Sequence, residues 1–321
     1  MIPIRNTAAA TAVLVYALIV LGAVVRSTNS GLSCPDWPTC YGHWVPLPGD
    51  IAAVPNIGYS YGQVMLEWVH RLIAGFLVGP LVLVLAVLTF RRRRVRPELA
   101  VAGGALVLLL LLQAALGGLT VLDLNSAWSV AIHLGNALLV LAVVLRIVVL
   151  SAGWTVGGRA GRLLVPAALA FGLALLAMMS AAMTAKSGAS LACATWPSCN
   201  GSFLPDLADE GVRFHYAHRL LAAGTALSVL ALLARAWLGA RVALPVRRLA
   251  TFAALLIVVQ VGLGAAVILL EVPVDVAVVH QAVGVLTFAT VTLLMWRCLP
   301  PGGSTATLAG DRSDGLALRG A

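Results

Sequence analysis

The stretch Glu67-Trp68-Val69-His70-Arg71 opens an apolar run that continues as Leu72-Ile73-Ala74-Gly75-Phe76-Leu77-Val78 and on to Phe90. A run of this length can cross a hydrocarbon core, which takes about 20 helical residues. An acid and an imidazole three residues apart on a helix share one face and can reach the same ligand. The chain echoes the stretch once, as His215-Tyr216-Ala217-His218-Arg219, keeping the histidine-arginine pair and setting His215 where Glu67 stood.

Similar apolar runs recur near 8–26, 66–90, 99–121, 129–150, 163–184, 214–238, 248–270 and 277–298. Of the 321 residues 61% are hydrophobic and 10% charged, and the mean hydropathy is +0.99. Such a balance excludes a soluble globular domain and predicts an all-α integral membrane protein with about eight transmembrane helices. The start, 1–26, has the basic end and apolar core of a signal peptide. It lacks a small-residue cleavage site, and it is read as the first helix.

The net charge of +9 is sided. Arg5, Arg91 to Arg94, Arg96, Arg159, Arg162, Arg235, Arg241, Arg247, Arg248 and Arg297 fall in or beside alternate connections. Asp36, Asp50, Asp123, Asp206, Asp209, Glu210, Glu271 and Asp275 collect in the others. This is the positive-inside pattern with both termini cytoplasmic. The arginine run at 91–96 is a topology anchor in contact with membrane lipid, and no nucleic-acid recognition pattern accompanies it.

The loop before the second helix carries Cys34-Pro35-Asp36-Trp37-Pro38-Thr39-Cys40-Tyr41-Gly42, and the second half repeats it as Cys193-Ala194-Thr195-Trp196-Pro197-Ser198-Cys199-Asn200-Gly201. Gln113, Leu116 and Gly117 match Gln260, Leu263 and Gly264, and His133 matches His280. The chain therefore divides into two four-helix bundles, 1–150 and 151–299, as parallel repeats about an axis along the membrane normal. The boundary falls at 151–162. A Gly/Ser/Asp-rich cytoplasmic tail, 300–321, is expected to be disordered.

His70 and His133 open helices that run in the same direction, and His218 and His280 repeat this, so each half offers two imidazoles at similar depth. One histidine alone is most simply a hydrogen-bonded packing residue or proton relay. Four at matched positions point to haem iron held from both sides of the macrocycle. No Cys-x-x-Cys-His occurs, which argues against covalent attachment. Arg71 and Arg219 are candidate propionate partners, with snorkelling to the interface as the plainer reading.

His215 fits a proton carrier, a propionate partner or an interfacial residue. His43 reads as a surface residue, and Met178, Met179 and Met183 read as packing. The pairs Cys34/Cys40 and Cys193/Cys199 lie in loops placed outside, where disulfides persist. Each pair is either a staple or a redox-active bridge, with a zinc site the weaker reading. Cys298 reads as a small buried hydrophobe.

With the doubled four-helix unit, the Glu-x-x-His-Arg opening, the single histidines at 133 and 280 and the Cys-x-x-Trp-Pro-x-Cys loops, the chain resembles the haem A synthase family over roughly 8–298. The resemblance implies an oxidoreductase that oxidises a methyl group of haem O to a formyl group by successive hydroxylations, for terminal oxidase biogenesis. It implies Glu67 as the catalytic residue, His70 and His133 as ligands of the substrate haem, and His218 and His280 as ligands of a resident haem b.

The same resemblance gives Cys34 and Cys40 a candidate part in electron transfer or haem delivery. The partners that follow are haem O, haem O synthase, an unidentified electron donor and lipid. Glycine pairs such as Gly103-Gly104 also permit homo-oligomers. The expected location is the bacterial plasma membrane, multi-pass, with the cysteine loops on the extracytoplasmic side. The rival readings are a di-haem b-type electron carrier linked to quinol, which leaves Glu67 unexplained, and a transporter or haem-handling binding protein, which needs a polar path that the odd-numbered helices lack.

Overall fold

The structure, a computed structural model, describes residues 1–154, 163–239 and 242–299. The expected tail at 300–321, most of the expected boundary at 151–162, and Arg159, Arg162 and Arg241 lie outside the described residues. Helices in chain order are α1 (Ile2–Ser27), the short α2 (Pro48–Ala52), α3 (Tyr61–Ile73), α4 (Gly79–Phe90), α5 (Pro97–Leu122), α6 (Ala127–Ala152), α7 (Leu164–Lys186), α8 (Glu210–Leu238), α9 (Leu244–Leu269) and α10 (Val274–Cys298). Counting Tyr61–Phe90 as one span, eight helices among the described residues are long and apolar enough to cross a membrane.

Several spans begin earlier than hydropathy suggests, because polar first turns are capped rather than looped. Ser60 accepts the Gln63 amide while Gln63 reaches back to Ser60, a reciprocal cap that starts α3 at Tyr61. Asp209 accepts the Val212 amide at 2.8 Å and starts α8. His70 therefore sits more than two turns into its helix rather than at its opening. Ser126 caps α6 through Ser129, and Gly153 closes that helix at φ 67°.

Between α3 and α4 the chain makes one π-helical turn, Ala74–Val78. Pro80 stands just beyond it, lacks an amide hydrogen and would clash with the carbonyl four residues back. The wider turn removes that conflict. Gly79 suits the turn, since a Cβ there would lie a tight 3.1 Å from the Ala74 carbonyl. The corresponding α8 runs unbroken through its own span.

In the packing order, α1 lies on α6 and α10, α7 on α6, α8 and α10, α5 between α4 and α6, and α9 between α8 and α10. The inner helices are thus α1, α6, α7 and α10. One core joins Val15, Leu85, Leu106, Leu138, Leu141 and Phe288, and another joins Ala167, Val229, Leu232, Ala253 and Leu294. Phe171 and Phe288 stack at 5.2 Å where they meet. In lipid such contacts act through close packing and interhelical hydrogen bonds rather than water exclusion.

One such set links α6 to α10. Trp296 Nε1 donates to Ala142 O at 2.8 Å, and Arg146 donates to Trp296 O at 3.0 Å with its guanidinium over the indole ring. Cys298 is buried and unbonded, and Met178 is buried between helices, as packing residues are.

Candidate functional site

Both cysteine pairs form disulfides, Cys34–Cys40 and Cys193–Cys199, and the loops they close share one architecture. Each turns back through a bridge, Cys40 with His43 and Cys199 with Ser202. Each reverses at a left-handed pair, Tyr41-Gly42 and Asn200-Gly201, where glycine carries no steric cost. In the first loop the Asp36 carboxylate accepts from Thr39 Oγ1, from Tyr41 N at 2.5 Å and from Gly42 N at 2.9 Å. In the second, Thr195 stands there and accepts from Gly201 N at 3.1 Å.

Partial burial works against the Asp36 charge, but the bonds from Thr39, Gly42 and Tyr41 outweigh it and hold the carboxyl below its usual range. Because its folded value lies under the unfolded one, near 3.9, ionised Asp36 stabilises the loop above that pH. The stabilisation disappears as pH falls through the folded value. Hydrogen-exchange protection at Tyr41 and Gly42 should therefore fall in acid in the wild type and be already low and flat over that range in Asp36→Asn. Equal protection in the two proteins at neutral pH would contradict this account of the loop.

The arginine of each motif braces the loop above it. Arg71 Nη1 donates to Asp36 O at 2.6 Å and Thr39 O at 2.8 Å, and Nη2 to Cys34 O at 3.0 Å. Arg219 Nη1 donates to Ser198 O at 2.8 Å, and Nη2 to Cys193 O at 2.8 Å and Thr195 O at 2.9 Å. The terminal nitrogens of Arg71 and Arg219, the expected propionate partners, are thus engaged by loop carbonyls. Loop carbonyls close to apolar surroundings need donors as much as any ligand does.

Glu67 belongs to the same network. Its Oε2 accepts from Cys34 N at 2.9 Å and Ser33 Oγ at 3.0 Å, and its Oε1 pairs with Arg71 at 2.6 Å. Only 4% of the residue is exposed. His215, at the matching place, accepts from Cys193 N at 3.2 Å through Nδ1. Glu67 and His215 thus anchor the first cysteine of their loops, and only the first half has a carboxylate at that point. Sequence reasoning did not find Ser33 or the cysteine amides, because backbone donors leave no residue-type signal.

The histidines next to these arginines turn inward. His70 and His133 approach closely enough for their charges to interact, and so do His218 and His280. Glycines make room for three of the rings. A Cβ at Gly22 would lie 3.3 Å from His70 Cε1, one at Gly117 3.4 Å from His133 Cε1, and one at Gly264 3.1 Å from His280 Cε1. The matched glycines 117 and 264 were visible in the sequence, but their purpose was not.

His218 is fixed by Nδ1, which lies 3.1 Å from Ala177 O and 3.1 Å from Ser180 Oγ on α7. Donation to that carbonyl leaves Nε2 as the free acceptor, the arrangement that orients metal-binding imidazoles. His70 Nδ1 and His280 Nδ1 are buried without partners. Gln113 Nε2 lies 3.2 Å from His133 Nε2, and Asn136 Nδ2 donates to Gln113 Oε1 at 2.6 Å; Gln260 Nε2 lies 3.5 Å from His280 Nε2. Near Asn136 an apolar cavity of about 300 Å³ opens between α5, α6 and α7, lined by Leu112, Leu116, Ile132 and Met179.

No cluster of three or more histidine, cysteine or acidic side chains fit for a metal ion occurs among the described residues. The imidazoles come instead in pairs, a donor type able to take the axial positions of a porphyrin iron. His43 is exposed, 3.7 Å from Asp50.

The architecture is that of a multi-pass helical membrane protein with two half-buried histidine pairs, each beside a disulfide-closed loop. The chain belongs to the family described as cytochrome oxidase assembly protein, whose sequence model matches residues 5–292. It is 30% identical over 320 residues to a protein of Shewanella oneidensis named Heme A synthase, covering 89% of this chain and 94% of that one. It is 32% identical over 322 residues to the Heme A synthase of Rhodospirillum centenum, covering 88% and 84%. It is 28% identical over 268 residues to that of Shouchella clausii, covering 79% and 83%.

Proposed function

We propose that this chain is a haem A synthase, an oxidoreductase that converts a methyl group of haem O to a formyl group by successive hydroxylations. The observation that carries the reading is the one asymmetry between two otherwise matched sites. Each half has its histidine pair, arginine brace and disulfide loop, and only the first has a buried carboxylate.

In this reading 1–150 is the catalytic half and 151–299 holds a resident haem b. His70 and His133 bind substrate haem O, and the apolar cavity near Asn136 suits hydrophobic substituents of the macrocycle. Glu67 sits where its charge is fixed by Arg71, Ser33 and the Cys34 amide. It can stabilise positive charge that develops at the methyl carbon, or carry a proton, without reorganising. The Cys34–Cys40 loop holds that carboxylate in place, so opening the disulfide would disturb Glu67 as well as the loop.

His218 and His280 would hold haem b, with Ala177 O and Ser180 setting the tautomer of His218. Bound there, the group supplies one-electron redox chemistry. The protein lies in the bacterial plasma membrane with its termini cytoplasmic and its cysteine loops extracytoplasmic, consistent with the sided arginines. Haem O synthase and an electron donor are its functional partners.

The reading is tested by the haem extracted from membranes of a haem-O-producing host. Haem A or a hydroxylated intermediate should appear only when this chain is expressed. If haem O stays unaltered while the protein retains haem b and a competent electron supply, the di-haem electron-carrier reading replaces it.

A further inference from the structure

Two cations at one end of the helical bundle have no role in the sites described so far. Arg26 lies in the last turn of α1, half-buried, and its Nη2 donates to Gln281 Oε1 on α10 at 3.0 Å. Gln281 directly follows His280. Lys186, the chain's single lysine, is the half-buried last residue of α7. It stands roughly 9 Å along that helix from Ser180, the partner of His218.

Arg26 is near enough to both Lys186 and His280 for their charges to interact. The ion pairs among the described residues join Arg71 to Glu67, Arg96 to Glu98 and His43 to Asp50, so none includes Arg26 or Lys186. Two like charges near one another, with no carboxylate paired to either among the described residues, at the end of an apolar bundle are unfavourable until an anion joins them.

The first half has no counterpart. Aligning Cys34 with Cys193 sets Ala185 opposite Arg26 and Ser27 opposite Lys186, and aligning His133 with His280 sets Leu134 opposite Gln281. The arginines beside the histidines differ from the pair, because the terminal nitrogens of Arg71 and Arg219 already face loop carbonyls.

We propose that Arg26 and Lys186, with Gln281 steering the guanidinium, form a carboxylate-binding site for the two propionates of the haem held by His218 and His280. The proposal rests on the haem reading given above. It makes α1, a helix of the first half, part of the second half's site, and it explains why α1 is tied to α10 at Gln281 and again at Ala282 O by Tyr16, at 3.2 Å. A guanidinium and an ammonium at the open end of a bis-imidazole site match a ligand with two carboxylates on one edge.

The test uses the purified full chain stripped of haem and titrated with haem b, and in parallel with haem b dimethyl ester, whose propionates carry no charge. Arg26→Gln/Lys186→Gln should weaken haem b binding by about tenfold or more, leave ester binding at the wild-type level, and be partly rescued by Arg26→Lys. Unchanged haem b affinity would overturn the proposal. So would equal losses for haem b and the ester, which mean damaged packing. Loss of co-purifying phosphatidylglycerol with no change in haem affinity would also overturn it, because it assigns the cations to lipid headgroup phosphate. His218→Ala separates the two layers: if it binds haem b as tightly as the wild type, the haem reading itself fails and the propionate site falls with it.

Discussion

Glu67→Gln should lower haem A formation by about 10²-fold or more while haem b remains bound. The substitution keeps the size of the side chain and one acceptor for the Cys34 amide. It removes the charge, and it turns the ion pair with Arg71 into a neutral contact. Arg71 keeps its three loop carbonyls, so the disulfide loop should hold its shape and the loss should fall on conversion. Glu67→Ala is a harsher variant. It leaves the largely buried Arg71 guanidinium and Cys34 N short of an acceptor, while Ser33 Oγ keeps Ser30 O and Gln63 O, and breaking a buried pair costs about 3–5 kcal/mol. Reduced yield and thermal stability should accompany its lost activity. His215→Gln offers a new acceptor to the Cys193 amide and should convert haem O nearly as the wild type does. Equal conversion by Glu67→Gln and wild type would remove Glu67 from the chemistry and leave it as a loop anchor alone.

The second large effect is expected at the histidine pairs, and it should differ between halves. His218→Ala or His280→Ala should abolish the bis-imidazole haem b spectrum and, with it, conversion. His70→Ala or His133→Ala should abolish conversion while leaving that spectrum in place. The two pairs are separated because each ring is positioned within its own half: His133 by Gln113, and His218 by the α7 groups Ala177 O and Ser180. Loss of all haem in every one of the four variants would show instead that the halves form a single cooperative site.

Much of this was legible before any coordinates. Eight apolar runs, two copies of a cysteine-tryptophan-proline loop and four matched histidines define the membrane class and the candidate site, because each leaves a signal in residue type and spacing. What could not be read is equally instructive. Hydropathy cannot distinguish a capped first turn from a connection, so the polar openings of α3 and α8 read as loops in the sequence. The carbonyls that Arg71 serves are backbone groups, invisible in composition. Glu67 and His70 share a helix face by spacing, yet the carboxylate turns to the loop and the imidazole to Gly22. The π-helical turn before Pro80 in the second span is a further feature that hydropathy does not report. Arg26 ends an ordinary apolar helix by sequence and acquires meaning only from the α10 glutamine beside it.

The central claim is that one half holds the substrate and the other a resident haem. It is tested most directly by extracting and identifying the haem bound to purified His70→Ala/His133→Ala protein made in a haem-O-producing host. The account predicts haem b alone, about one per chain, with a low-spin bis-imidazole spectrum and neither haem O nor haem A. Haem O or haem A retained by that protein, or a complete absence of haem, would contradict it.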